Sequence, residues 1–152
     1  MIEYIHEPTD LQCGQAVLAM VLGKTVDEIV TFLQNDRETT LAEMKRTFRE
    51  HGVHISDERI AVQKKEQLPP LCLLSLETPR CWHWSLYADG TFYDPEHGVM
   101  SDFPRANRKY YWKLEKAVRF IGHNLCYNIN ITRERKAPDN NHILSFCGHR
   151  LR

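Results

Sequence analysis

Apolar residues recur every three or four positions over roughly the first fifty residues, which is the period of helices packed on a core. Two of these segments begin with a capping box, in which a threonine and a glutamate bond the free N–H groups of the first turn. A preceding segment is apolar almost all round, as in a buried helix. We predict three helices: residues 9–23, capped by Thr9 or Asp10 and ended by Gly23; residues 25–34, after the box Thr25–Glu28; and residues 40–52, after the box Thr40–Glu43.

The pattern then changes to short apolar runs and to alternation, which is typical of strands. Residues 71–76 are continuously apolar and predict a buried strand, while residues 81–87 and 91–94 flank Asp89-Gly90, a strong hairpin turn. Weaker strand candidates are residues 53–55, 60–62, 127–132 and 143–146. We expect a loop or helical turn at 63–67, loops at 96–107 and 133–141, and a helix at 110–124.

Helices followed by antiparallel strands indicate the α+β class. A chain of 152 residues with 42% hydrophobic and 26% charged residues is ordinary for one globular domain. No apolar run approaches the ~18 residues of a membrane span. The first residues lack the basic and apolar regions of a signal peptide, so we expect a cytoplasmic protein, or one exported by an unrecognised signal.

The formal net charge is zero, but it is unevenly distributed. Residues 1–100 carry a net charge of −7 and residues 101–152 carry +7. The basic part could bind nucleic acid or pack against its own acidic body, and we favour the second because no nucleic-acid motif is present. Basic residues flank three consecutive aromatic residues at 108–113, where we likewise expect core and solvated charge rather than base stacking.

Five cysteines, an odd number, without a secretory signal argue against a disulfide framework. One of them, Cys13, lies near the start of the first predicted helix, where free N–H groups and the helix dipole favour a thiolate. Such a thiol is a candidate nucleophile if a base lies nearby.

The hairpin supplies that base. If Asp89-Gly90 forms a two-residue turn, position 85 faces position 94, and residues two apart share a face. His83 and Asp94 then become diagonal neighbours roughly 7–8 Å apart at Cα, a spacing that suits an imidazole bonded to a carboxylate. With Cys13 they would form a nucleophile, a base and an orienting group for attack on a carbonyl carbon.

Each residue also has a structural interpretation. Cys13 could be a small buried hydrophobe, as free cysteines usually are. His83 could be a structural strand histidine, and Asp94 before a proline could be an ordinary turn residue. Their coincidence in one hairpin register favours catalysis.

The segment from Asp10 to Met20 resembles the catalytic-cysteine helix of papain-like peptidases, nearest the bacteriocin-leader (double-glycine) peptidases and their stand-alone relatives. Those share a Cys-Gly-x-Ala-x-Leu-x-Met pattern, and the later pieces match in order over residues 5–98. The pieces are Gly23-Lys24, the helix ending at Gly52, the strand after Pro70, His83-Trp84 and Asp94-Pro95. The resemblance implies a papain-like fold, a Cys13–His83–Asp94 triad and a protein or peptide substrate.

One position departs from this family. A glutamine six residues before the cysteine usually donates to the oxyanion, whereas Glu7 stands here, and an ionised carboxylate cannot donate. Gln12, Gln15 or His6 could substitute. The departure leaves room for a protein-glutamine deamidase or acyl transferase on the same triad, or for an inactive binding module.

A zinc site from the histidines and cysteines near the C-terminus is a weak alternative. Their spacing matches no compact zinc knuckle, so we expect surface histidines, with no metal and no cofactor. The residues concerned are His123, Cys126, His142, Cys147 and His149.

Overall fold

A computed structural model of the chain describes residues 1–117. In this part, three helices precede seven strands. The helices are α1 (Cys13–Leu22), α2 (Val26–Leu33) and α3 (Leu41–Glu50). The strands are β1 (Val53–Ile55), β2 (Ile60–Ala61), β3 (Leu71–Glu77), β4 (Trp82–Ala88), β5 (Thr91–Asp94), β6 (Gly98–Met100) and β7 (Lys109–Lys116), with a short 3₁₀ turn at Lys65–Gln67.

Both predicted capping boxes are present. The Thr25 and Thr40 side chains each accept the N–H of the glutamate three residues later, at 3.2 Å. Each glutamate carboxylate accepts the threonine N–H in return, at 2.8 and 2.7 Å. These reciprocal bonds satisfy N–H groups that the helix cannot, which is why α2 and α3 begin where the sequence predicts.

The predicted start of the first helix is wrong. Thr9 and Asp10 lie in a turn, closed by the Gln12 N–H donating to the Thr9 carbonyl at 3.0 Å, so neither caps α1. The helix begins at Cys13, with Gln12 before it and no side-chain cap. It ends at Gly23, whose φ of 65° is the left-handed conformation expected there.

The strands form a single antiparallel arrangement in the order β1-β7-β3-β4-β5-β6, with β2 also paired to β7. The helix predicted at residues 110–124 is wrong over β7, a strand between β1 and β3. Its Trp112 and Leu114 are buried while Lys113 and Glu115 are exposed, a period of two, and aromatic residues fit a pleated surface well. The remainder of that prediction, and those for residues 127–146, lie outside the described residues.

A short strand also interrupts the loop predicted at residues 96–107. β6 pairs with β5, and Gly98 opposite Asp94 has a φ of 95°. This positive φ lets the chain reverse immediately after β5. The turn between β5 and β6 therefore lies directly beside Asp94.

Two buried clusters lie on the sheet. One joins the helices to side chains that include Leu73, Leu86 and Trp112, and the other contains Leu74, Leu76, Tyr87 and Phe92 without helix residues.

No helix among residues 1–117 is long and apolar enough to cross a membrane.

The start of α1 lies close to the sheet because residue 14 has no side chain. A Cβ on Gly14 would overlap Thr39 and lie 3.1 Å from the Trp84 ring. The Trp84 indole N–H donates to the Thr39 carbonyl at 3.0 Å, so these two residues are fixed to each other. The glycine thereby allows its neighbour Cys13 to approach β4.

Candidate active site

The β4–β5 hairpin places His83 against Asp94. Leu86 pairs with Tyr93, which confirms the register derived from the Asp89-Gly90 turn. The His83 Nε2 lies 3.1 Å from each carboxylate oxygen of Asp94. Because Nε2 is engaged, the ring's other nitrogen, Nδ1, is left for another partner.

Cys13 lies beside this pair. Its sulfur, a ring nitrogen of His83 and a carboxylate oxygen of Glu7 all lie within 4.8 Å of one another. The thiol residue is 9% exposed, His83 is 4% exposed and Asp94 is fully buried. The three residues expected to form a triad are thus brought together in a site largely shielded from water.

Asp94 is held in position by the turn that follows it. Its Oδ1 accepts the backbone N–H groups of Glu96 at 3.1 Å and of His97 at 3.0 Å, and the His97 Nδ1–H at 2.9 Å. His97 was not among the site residues predicted from the sequence. The sequence does contain a signal for it, because an aspartate that starts a turn often bonds a donor three residues later.

These contacts shift the pKa values of the pair in opposite directions. Burial opposes the imidazolium of His83, but hydrogen bonds with Asp94 and Cys13 and their charges outweigh it, so the pKa of His83 is raised. Burial likewise opposes the Asp94 carboxylate, yet the bonds from His83 and His97 outweigh it and lower the pKa of Asp94. The site therefore favours a charged imidazole beside a charged carboxylate.

Glu7 reaches the site from the segment before α1. The Glu7 N–H donates to the Pro95 carbonyl at 3.1 Å, and the Tyr4 hydroxyl donates to the same carbonyl at 3.2 Å. The Glu7 side chain is buried, and its Oε2 has no hydrogen-bond partner among the described residues. Burial raises the pKa of this carboxyl, and the nearby Glu96 and Asp94 charges add to the effect.

Two of the three side chains proposed to replace the oxyanion glutamine, Gln15 and His6, make contacts elsewhere. The Gln15 amide donates both of its hydrogens, to the carbonyls of Asn35 at 3.1 Å and Arg37 at 2.6 Å, so it holds a loop instead. His6 is exposed, and its Nδ1 contacts the Tyr4 hydroxyl at 3.4 Å.

The cluster of Glu7, Cys13 and His83 also offers three atoms at a spacing that a metal ion accepts. The same closeness is needed for a proton to move from a thiol to an imidazole. The zinc candidates near the C-terminus lie outside the described residues.

Comparison with solved structures finds a fold shared with known proteins. One match is the crystal structure of a double glycine motif protease from an AMS/PCAT transporter, in complex with the leader peptide. The TM-score is 0.52 at 17% identity, and the alignment covers 73% of this chain and 89% of that chain. No family model and no curated protein matches the sequence. The comparison thus supports the α+β fold expected from the resemblance.

Proposed function

We propose that this chain is a cysteine hydrolase that cleaves a peptide or amide bond in a protein or peptide substrate. Cys13 is the nucleophile, His83 the general base and Asp94 the group that orients the imidazole. The observation that carries the proposal is the buried series in which the Cys13 sulfur lies within 4.8 Å of a His83 ring nitrogen and the His83 Nε2 lies 3.1 Å from the Asp94 carboxylate.

The chemistry follows from these contacts. His83 takes the proton of the Cys13 thiol, and the thiolate electron pair forms a bond to the substrate carbonyl carbon. The imidazolium gives its proton to the departing amine as the carbon–nitrogen bond breaks, leaving a thioester. Water, deprotonated by His83, then releases the acid and restores the thiol. Asp94 stabilises the imidazolium throughout without taking its proton.

The choice of a first substrate rests on the fold neighbour. That protein is described as a double glycine motif protease, with a leader peptide bound. Peptides containing two consecutive glycines are therefore the first substrates to test, with glutamine side-chain amides as the alternative for a deamidase.

The test is incubation of the full chain with such peptides, followed by mass spectrometry of the products. We expect cleavage by the wild-type chain and none by Cys13→Ala or His83→Ala. Cys81→Ala is the matched control, because it removes an exposed thiol outside the cluster and should leave cleavage unchanged. Cleavage that survives Cys13→Ala, or that a chelator abolishes and zinc restores, would contradict the proposal.

A further inference from the structure

A buried carboxyl group that has an unpartnered oxygen lies beside the candidate nucleophile. Glu7 is 6% exposed, and its Oε2 has no hydrogen-bond partner among residues 1–117. Buried polar atoms are rarely left unpaired, and an exception inside a reactive cluster suggests that the missing partner arrives with a ligand. The closeness of this carboxyl to the Cys13 sulfur places that partner where a reacting carbonyl would bind.

The start of α1 offers a second donor at the same place. The first N–H groups of a helix have no acceptor within the helix, and no described side chain caps α1. The Cys13 N–H therefore belongs to the same uncapped turn as the thiol. A substrate carbonyl attacked by the Cys13 sulfur would therefore have two groups close to the sulfur that can bind its oxygen, this N–H and the Glu7 carboxyl.

We propose that Glu7 works in its protonated form as an oxyanion donor, its carboxylic O–H donating a hydrogen bond to the oxygen of the tetrahedral intermediate. This inference rests on the proposed function, because it requires attack by Cys13 on a carbonyl. As the new sulfur–carbon bond forms, the carbonyl π electrons move onto oxygen, and Glu7 bonds that oxygen while keeping its own proton. When the carbonyl re-forms, the hydrogen bond weakens and Glu7 is unchanged.

The surroundings of Glu7 favour its protonated form. The imidazolium of His83 and a protonated His6 would favour the carboxylate, but burial together with Glu96 and Asp94 disfavours it, and the pKa of Glu7 is raised. A carboxylic acid kept neutral in this way can donate to a developing oxyanion. The titratable groups facing Glu7 are Tyr4, His6, Cys13, His83, Asp94 and Glu96.

The consequence is a specific dependence on pH. As pH rises through the pKa of Glu7, the donor becomes an anion that repels the oxyanion, so the reaction slows. A glutamine at this position donates at every pH and cannot ionise. Glu7→Gln should therefore differ little from wild type in acid and be much faster at alkaline pH.

The test uses the p-nitrophenyl ester of acetyl-glycyl-glycine, whose acylation of the full chain is followed between pH 4.5 and 9. We expect the ratio of the Glu7→Gln rate to the wild-type rate to rise from near one in acid to roughly 10²-fold at the alkaline end, the usual effect of one oxyanion donor. Glu7→Ala should be slow throughout, and thermal unfolding checks that each variant folds.

Glu96→Gln provides a matched control for the titration. Its carboxylate is about half exposed and faces Glu7, so removing the charge should let Glu7 ionise more easily. In Glu96→Gln, the decline of the acylation rate at alkaline pH should then occur at lower pH than in wild type. A purely structural role for Glu7 would not produce this displacement.

Two kinds of failure are distinguishable. If acylation occurs at Cys13 but the rates of Glu7→Gln and wild type keep a constant ratio, or Glu7→Gln is slower at every pH, the oxyanion role is wrong and the hydrolase proposal stands. If Cys13 is not acylated by the ester, both are wrong.

Discussion

The imidazole of His83 and the carboxylate of Asp94 are paired inside the protein, with Nε2 at 3.1 Å from both carboxylate oxygens. The two residues are eleven positions apart in the chain, and the tight Asp89-Gly90 turn brings them together. His83 therefore reaches the Cys13 sulfur with its orientation already set by the hairpin.

Asp94→Asn should reduce activity strongly while the fold is retained. The asparagine oxygen can still accept the N–H groups of Glu96 and His97, but its NH₂ would face His83 Nε2. The imidazole would then carry its proton on Nδ1, the nitrogen needed to accept the thiol proton. We expect a loss of about 10²–10⁴-fold in kcat/KM. An activity within threefold of wild type, in a variant that unfolds at a similar denaturant concentration, would contradict the orienting role.

His97 should act as a positioning residue through Asp94. Its Nδ1–H bonds Oδ1 at 2.9 Å from a half-exposed side chain, so the contribution is modest. We expect His97→Ala to lower kcat about fivefold, equivalent to roughly 1 kcal/mol, with little effect on KM. His97→Asn keeps a donor at a similar position and should recover most of the loss. Equal losses in the two variants would show that the hydrogen bond is not responsible.

Gly14→Ala should destabilise the fold. The added methyl would overlap the Thr39 side chain and crowd the Trp84 ring, so the start of α1 must move away from β4. Overpacking of this kind costs about 1–3 kcal/mol in free energy of unfolding, measurable by urea denaturation. Thr39→Ala removes the nearest atom, so the double variant should recover part of the cost. Simple additivity of the two single effects would contradict the proposed overlap.

The Glu7 carboxyl should also leave a signature in stability. The pKa of Glu7 is raised in the folded state. Below about pH 4 the carboxyl is protonated in both the folded and the unfolded chain, so its ionisation does not affect the free energy of unfolding. As pH rises toward the folded-state pKa, the unfolded chain loses its proton first and the free energy of unfolding falls. The stability advantage of Glu7→Gln should therefore grow as pH rises from about 4 to the folded-state pKa of Glu7, by about 1.4 kcal/mol for each pH unit between the two pKa values, and stay constant above it. A difference that is independent of pH would contradict this.

The starts of α2 and α3 and the hairpin could be predicted because local chemistry determines them. The capping boxes at Thr25 and Thr40 fix where α2 and α3 begin, and Asp89-Gly90 fixes the register that pairs His83 with Asp94. Strand β7 could not be predicted, because its pairing with β1 and β3 depends on residues far away in sequence.

The remaining site residues required the fold. Glu7 could be flagged by position, but its burial depends on the contact of its N–H with the Pro95 carbonyl. The hydrogen bonds from the Gln15 amide to the carbonyls of Asn35 and Arg37 depend on how the loop after α2 folds back on α1. Neither contact leaves a periodic pattern in the sequence.

The central claim is that Cys13 is a nucleophile activated by His83. Its most direct measurement is the rate of iodoacetamide labelling of each cysteine near neutral pH, resolved by peptide mass spectrometry, in wild type and His83→Ala. The exposed Cys81 serves as an internal reference, and the deeply buried Cys72, whose pKa is raised by burial, should label slowest of these three in the native chain. We expect Cys13 to react at least about tenfold faster than Cys81 in spite of its burial, and to fall below Cys81 in His83→Ala. If Cys13 reacts more slowly than Cys81 in wild type and His83→Ala changes nothing, the thiol is not activated and the claim is wrong.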